Sequence, residues 1–293
     1  MSRRGWTLHE MIVSLTVMGI VVGLAAQAAT GQLRFFRGVG EIVALRSQIG
    51  HAAAVAASVL WGASSVGGDI TVAQDSAIEV HSTIGSAVAC ESAPGRITIP
   101  AAAVAPGNAL AAFVASPNEG DRVIALFEDS LGATWLGLHA TSASTSGASC
   151  VHFPSVTATW TVELREPLTV PAGTALRFTR PLRLSLYRAS DNRWYLGAKD
   201  WNGAAQRFNS IQPLAGPLKA YSGDPAKTGL HFGYWDSQGL AMPDPVDVNR
   251  IASITIVARG EAARPVRVGG LKSGPDDAYS DSTAVTVGLR NAR

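Results

Sequence analysis

Met1-Ser2-Arg3-Arg4-Gly5-Trp6-Thr7-Leu8-His9-Glu10 opens the chain, and the nineteen residues from Met11 to Ala29 that follow carry no charge. At about 1.5 Å per residue, that run matches a hydrocarbon thickness of about 30 Å. Glu10 is an ionisable group at the mouth of this apolar segment, where desolvation is costly and a charge marks function. A secretory signal sets its basic region, apolar core and cleavage site in that order, and loses the core on processing. Here the processing position on offer, Gly5-Trp6, precedes the apolar core. The core is therefore expected to stay on the mature chain as an anchor.

The stretch Arg4-Gly5-Trp6-Thr7-Leu8-His9-Glu10-Met11-Ile12-Val13 resembles the class III signal of type IV prepilins and pseudopilins. The resemblance implies cleavage after Gly5 by a membrane aspartic peptidase and methylation of the new Trp6 amine. Glu10 matches the family's glutamate, the fifth residue of the cleaved chain, and Thr7 and Leu8 fit the pattern. Trp6 replaces the usual phenylalanine, and its ring suits the membrane interface. His9 stands where an aliphatic residue is common.

The chemistry of Glu10 follows from its surroundings. A lone carboxylate near hydrocarbon protonates or finds a cation. In a monomer at the interface, water or the chain's own amine can satisfy it. In a stack of parallel helices a neighbour's Trp6 amine can approach it, and only one axial offset brings the two charges together. The competing reading is a lone anchor with a tolerated interfacial glutamate.

A chain of 293 residues accommodates an anchor helix and a globular domain. The 24 basic side chains include Arg3 and Arg4; without them 22 basic side chains face 22 acidic ones. That balance gives no support for nucleic acid as a partner. The two cysteines are Cys90 and Cys150. If the anchor exports the following domain, they lie in an oxidising compartment and are expected to form a disulfide, the alternative being two unpaired buried thiols. Closing a loop of that length contributes about 4 kcal/mol by loop-closure entropy. No spacing of Cys with Cys or His suggests a metal site.

The pattern divides the chain into residues 1–5 as leader, 6–30 as the transmembrane half of a helix, 31–61 as its amphipathic half and 62–293 as a β-rich domain. Past Thr30-Gly31, the apolar residues Leu33, Phe36, Val43, Ile49, Val55, Val59 and Leu60 alternate with Arg34, Arg37, Glu41, Arg46 and Gln48. Trp61-Gly62 marks the expected end, and Gly31, Gly38 and Gly40 are weak points that would let the helix bend or melt during packing. Beyond Gly62, short alternating runs are separated by Gly, Pro, Asn and Asp. Strands are expected at 70–73, 77–84, 97–99, 122–128, 134–139, 159–164, 175–179, 182–188, 194–198, 229–235, 251–259 and 285–289. A turn is expected at Asp129-Ser130-Leu131-Gly132. Flexible loops are expected from Ser142 to Ser149 and from Ser273 to Ser282.

The distal half carries a second resemblance. Arg183-Leu184-Ser185-Leu186-Tyr187-Arg188, Arg193-Trp194-Tyr195-Leu196, Pro213-Leu214-Ala215-Gly216-Pro217 and Leu230-His231-Phe232-Gly233-Tyr234-Trp235-Asp236 occur in the order seen in PilW-like and J-type minor pilins. The strand from Ile251 to Arg259 and the ending Gly288-Leu289-Arg290-Asn291 fit the same order. The resemblance covers about 110 residues and implies an α+β fold, a long N-terminal membrane-spanning helix followed by a β-rich globular pilin-type domain.

The sequence contains no GxSxG, phosphate-binding loop, dinucleotide fingerprint or HExxH. Cys150-Val151-His152 places a sulfur near an imidazole, but any Cys-x-His on a strand does so. Asp276, Asp277 and Asp281 form an acidic loop of the kind in which some pseudopilins hold Ca²⁺, although a solvated turn accounts for it more simply. Trp135, Trp160, Trp194, Trp201 and Trp235 invite a sugar or surface-contact platform, and core or interface packing is the plainer account. Arg177, Arg180, Arg183, Arg188, Arg193, Lys199 and Arg207 outnumber Asp191 and Asp200 in one stretch. A DNA contact there would weaken steeply with salt, and solvated strand faces explain the stretch as well.

The reading is a non-enzymatic minor pilin or pseudopilin without a cofactor, a subunit that primes or caps a type IV pilus or type II secretion pseudopilus. Its expected partners are a prepilin peptidase, other minor and major pilins or pseudopilins, and the bacterial inner membrane. It would cross that membrane once, place its domain in the periplasm and then enter the filament. The alternative is an adhesin or DNA-uptake module on the same anchor. That reading predicts ligand binding abolished by Trp or Arg substitutions, whereas assembly predicts a loss of incorporation on Glu10→Ala.

Overall fold

The computed structural model describes residues 7–101, 110–129, 132–147, 150, 156, 158–264, 266–268, 271–272 and 278–290. One long helix, α1 (Leu8–Leu60), leads into a β-rich domain. The strands are β1 (Ile70–Ala73), β2 (Ala77–Val88), β3 (Glu91–Ala93), β4 (Arg96–Pro100), β5 (Ala111–Phe113), β6 (Arg122–Asp129), β7 (Gly132–Ser146), β8 (Thr159–Leu164) and β9 (Ala175–Arg188). After them come β10 (Trp194–Asn202), β11 (Arg207–Phe208), β12 (Gln212–Leu218), β13 (Leu230–Trp235), β14 (Ser253–Glu261), β15 (Arg267–Val268), β16 (Leu271–Lys272) and β17 (Ser280–Gly288). Contacts divide the chain into two compact units: Met1–Gln48 with Gly260–Asp281, and Ile49–Arg259 with Ser282–Arg293.

The first unit holds most of α1 and the short β15–β16 pair. Ion pairs link the helix to the later segment: Arg46 Nε lies 2.8 Å from Asp281, and Arg264 Nε lies 3.8 Å from Glu41. Tyr279 also donates its hydroxyl to Asp281 at 3.1 Å. These groups are partly exposed, so each pair contributes little alone.

α1 is helical across Thr30-Gly31 and through Gly38 and Gly40, so those glycines do not interrupt it. The inward stripe of its later half also differs from the expected one. Leu33, Phe36 and Val43 are exposed, while Leu45, Ile49, Ala52, Ala53, Ala56 and Leu60 are buried. These buried residues recur at three- and four-residue steps, the geometry of one helix face. Their small alanines allow close approach, and a reading weighted toward large apolar residues overlooks them.

In the second unit the main sheet runs β1-β2-β9-β6-β7-β8-β4-β3, with β10, β11, β12 and β5 attached off that path. A smaller sheet has the order β13-β14-β17. Alternation sets the core: in β14, Ile254, Ile256 and Ala258 face inward between half-buried neighbours. The main core gathers Val123, Leu138, Phe178, Ile97, Ile99 and Val162, with Phe113 and Trp160 packed against it. Phe113 meets Trp160 and Phe178 edge-on at centroid distances of 5.0 and 5.2 Å. Gly85 makes room for it, since a Cβ there would lie 2.1 Å from the Phe113 ring.

Several elements extend beyond the expected boundaries. The runs at 175–179 and 182–188 form one strand, β9, that passes through Pro181. Its second neighbour changes there: β6 pairs as far as Thr179, and β10 pairs from Leu182. Proline is tolerated at such a gap in the ladder. The expected loop from Ser142 is strand as far as Ser146, because Ser144 and Ser146 pair with Thr161 and Thr159 of β8. Ala148 and Ser149 lie outside the described residues. β12 also forms, despite Pro213, Gly216 and Pro217, as an outer strand paired only to β10 with register shifts. β17 begins at Ser280, five residues before the expected start at Val285. β6 and β7 close on the pair Asp129↔Gly132, while the turn residues Ser130 and Leu131 lie outside the described residues.

Cys90 and Cys150 form a disulfide across 60 residues of sequence, and both are fully buried beside Val156. Cys150 therefore has no thiol, and Val151 and His152 lie outside the described residues.

Candidate assembly surface

From Met11 to Leu24, α1 is apolar around its circumference and exposed along its length. Leu8, Leu15 and Met18 are 78%, 68% and 66% exposed, and Met11, Ile12, Val13, Val17, Ile20, Val21, Val22 and Leu24 are exposed as well. Consecutive exposed residues such as Ile20, Val21 and Val22 point in different directions around a helix. A helix of this kind needs lipid or other helices around it. It is long and apolar enough to cross a membrane.

Glu10 lies in the first turn of that helix and has partners within its own chain. Its Oε2 accepts from the Thr7 backbone N–H at 2.9 Å and from the Thr7 hydroxyl at 3.1 Å. Thr7 Oγ1 in turn accepts from the Glu10 N–H at 3.3 Å. This is a capping box, in which Thr at the N-cap and Glu three residues on satisfy each other's free helix donors. The T-x-x-E spacing is legible in the sequence as that signal, which a reading of Glu10 only as an intermolecular charge misses. Gly5 and Trp6 lie outside the described residues.

The basic stretch of the β domain is drawn into the fold. Arg180 makes a two-pronged contact with the fully buried Asp121, at 2.6 Å from Nε and 2.8 Å from Nη2. Arg177 reaches buried Asp69 at 3.2 Å, the Gly62 carbonyl at 3.0 Å and the Thr83 hydroxyl at 2.9 Å. Arg183 lies 3.9 Å from Glu79. These carboxylates are remote in sequence, so counting charges along one stretch overstates its net positive charge. Three of the seven basic residues are thereby tied to acidic partners.

The tryptophans are dispersed. Trp160 packs on the main core, Trp201 meets Phe208 edge-on at 5.2 Å, and Trp235 Nε1 donates to Thr255 at 2.9 Å. Trp135 is 55% exposed, and Trp194 lies on β10. Among the described residues no ring contact joins any two tryptophans.

Among the described residues no cluster of His, Cys, Asp and Glu has the arrangement of a metal site. Asp276 and Asp277 lie outside those residues, and Asp281 is engaged by Arg46 and Tyr279. Two histidines have unusual surroundings. Burial pushes the His81 imidazole below its ordinary pKa, aided by Arg122, and burial with Arg259 does the same to His231. The Nδ1 atoms of both are buried without a hydrogen-bond partner among the described residues. In comparisons with known proteins, the chain matches no family model, no curated protein and no solved structure.

Proposed function

We propose that the chain is a minor pilin or pseudopilin, a non-enzymatic subunit that primes or caps a type IV pilus or a type II secretion pseudopilus after cleavage at Gly5-Trp6. The observation that carries this reading is an exposed apolar helix with Glu10 in its first turn, preceded in the sequence by Gly5-Trp6. An apolar helix retained after processing can insert among parallel copies of itself, where the partners are pilins, pseudopilins and lipid. The capping box adds a second state for Glu10. Thr7 satisfies the carboxylate before assembly, and a neighbour's Trp6 amine would satisfy it afterwards.

Filament incorporation of Glu10→Gln and Thr7→Ala separates register from capping. The reading predicts that Glu10→Gln is lost from sheared filaments while membrane insertion and the Cys90–Cys150 disulfide persist. Thr7→Ala, which keeps the carboxylate and the backbone N–H bond to it but removes both hydroxyl bonds, remains incorporated. Equal incorporation of Glu10→Gln and wild type contradicts the register role.

A further inference from the structure

β13 is an outer strand of its sheet, and among the described strands it pairs with β14 alone. The bond from the Arg259 N–H to the Gly229 carbonyl, at 2.8 Å, fixes the phase of that ladder. Counting along the antiparallel register, Gly233 and Trp235 aim their backbone groups at β14, and Phe232 and Tyr234 aim theirs outward. Two segments cover part of this outer edge. The Phe232 N–H donates to the Asp75 carbonyl at 2.7 Å, and the Met242 N–H donates to the Tyr234 carbonyl at 2.9 Å. Between those bonds, the Phe232 carbonyl and the Tyr234 N–H have no backbone partner among the described residues.

A cavity of about 820 Å³ is lined by this stretch of β13 together with Asp75, Tyr221 and Asp244. Among the described residues no Lys or Arg lines it. Arg259, whose charge reaches His231, turns its Nη1 to the Thr228 carbonyl at 3.2 Å. Asp75 already accepts hydroxyl donors from Tyr221 and Ser76, each at 3.0 Å. Asp244 accepts no hydrogen bond from the described residues, and the rings of Tyr221 and Trp235 line the same cavity.

We infer that the open edge of β13 is a docking slot for an extended peptide segment of a partner protein that carries a lysine or arginine. One residue of the partner, seated between Asp75 and Met242, donates its backbone N–H to the Phe232 carbonyl and accepts from the Tyr234 N–H. Its cationic side chain meets Asp244, beside the ring faces of Tyr221 and Trp235. A saccharide would use the rings and the carboxylate but leave the backbone pair open. The inference needs only the geometry of β13 and its cavity, and it stands or falls apart from the filament reading.

The test uses the full chain in micelles of lauryldimethylamine oxide, which has no sugar headgroup. The probes are acetyl-TVKVT-amide, its Lys→Glu counterpart, a form N-methylated along the backbone, and lactose. The expected result is saturable binding of the lysine peptide with slowed hydrogen exchange at the Tyr234 amide. The glutamate and N-methylated peptides bind at least about tenfold more weakly. Asp244→Lys, on an exposed loop, reverses the preference between the lysine and glutamate peptides. Four results overturn the proposal: equal binding of both peptides, unchanged exchange at Tyr234, saturation by lactose alone, or no saturation by any probe. Slowed exchange on raising the protein concentration without peptide makes a second copy the occupant and also overturns it.

Discussion

His81 lies on β2 with its Nδ1 buried and without a partner among the described residues, and its backbone N–H donates to the Asp69 carbonyl at 2.6 Å. Burial, then the charge of Arg122, push the imidazole below its ordinary pKa; Asp69 opposes them, and His139 and Arg177 add smaller pushes downward. An unfolded imidazole protonates near pH 6.5, while the folded one resists until lower pH. The unfolded state therefore gains protons first as pH falls. Stability is unaffected by this group above about pH 6.5 and declines below it, toward the folded pKa. His231 adds to the same decline. Unfolding curves at pH 7.5 and 5.5 are expected to show a smaller loss in His81→Gln than in wild type, and identical losses contradict this account. Neither histidine is conspicuous in the sequence, because burial depends on which strands come together.

At the scale of elements, the end of α1 depends on contacts from β9. Arg177 joins the Gly62 carbonyl to Asp69, whose Oδ2 also accepts from the Ser64 N–H at 2.9 Å. Asp69 is fully buried and its Oδ1 has no partner among the described residues, so losing the guanidinium leaves an uncompensated charge. Removing one member of a buried pair typically costs about 3–5 kcal/mol. Arg177→Ala is expected to lower the urea midpoint accordingly, and Asp69→Asn in that background is expected to recover part of the loss. No loss in the single variant contradicts the tie. The stop at Trp61-Gly62 and the strong strands at 122–128, 229–235 and 251–259 were legible because periodicity and turn residues are local signals. The continuity of β9 through Pro181 was not, since it depends on β6 giving way to β10 across the sheet. β12 was hidden for a related reason: its prolines read as turn residues until an outer position accommodates them.

Across the whole chain, an exposed apolar helix leads into a domain with a disulfide and its own buried core. Composition and hydropathy made that α+β outline readable. The choice of inward face on α1 was less so, because its alanine stripe gains by close approach rather than by hydrophobicity. For the candidate site, the sequence singled out Gly5, Trp6 and Glu10 but missed that Thr7 already satisfies the carboxylate. The open edge of β13 was invisible, since an unpaired backbone group exists only relative to a fold. The filament reading rests on what becomes of the first five residues. Its most direct test is the N-terminal mass of the membrane-extracted protein from cells with and without prepilin peptidase. The account predicts a chain beginning at methylated Trp6 only when the peptidase is present; an intact Met1 or Ser2 terminus in both would contradict it.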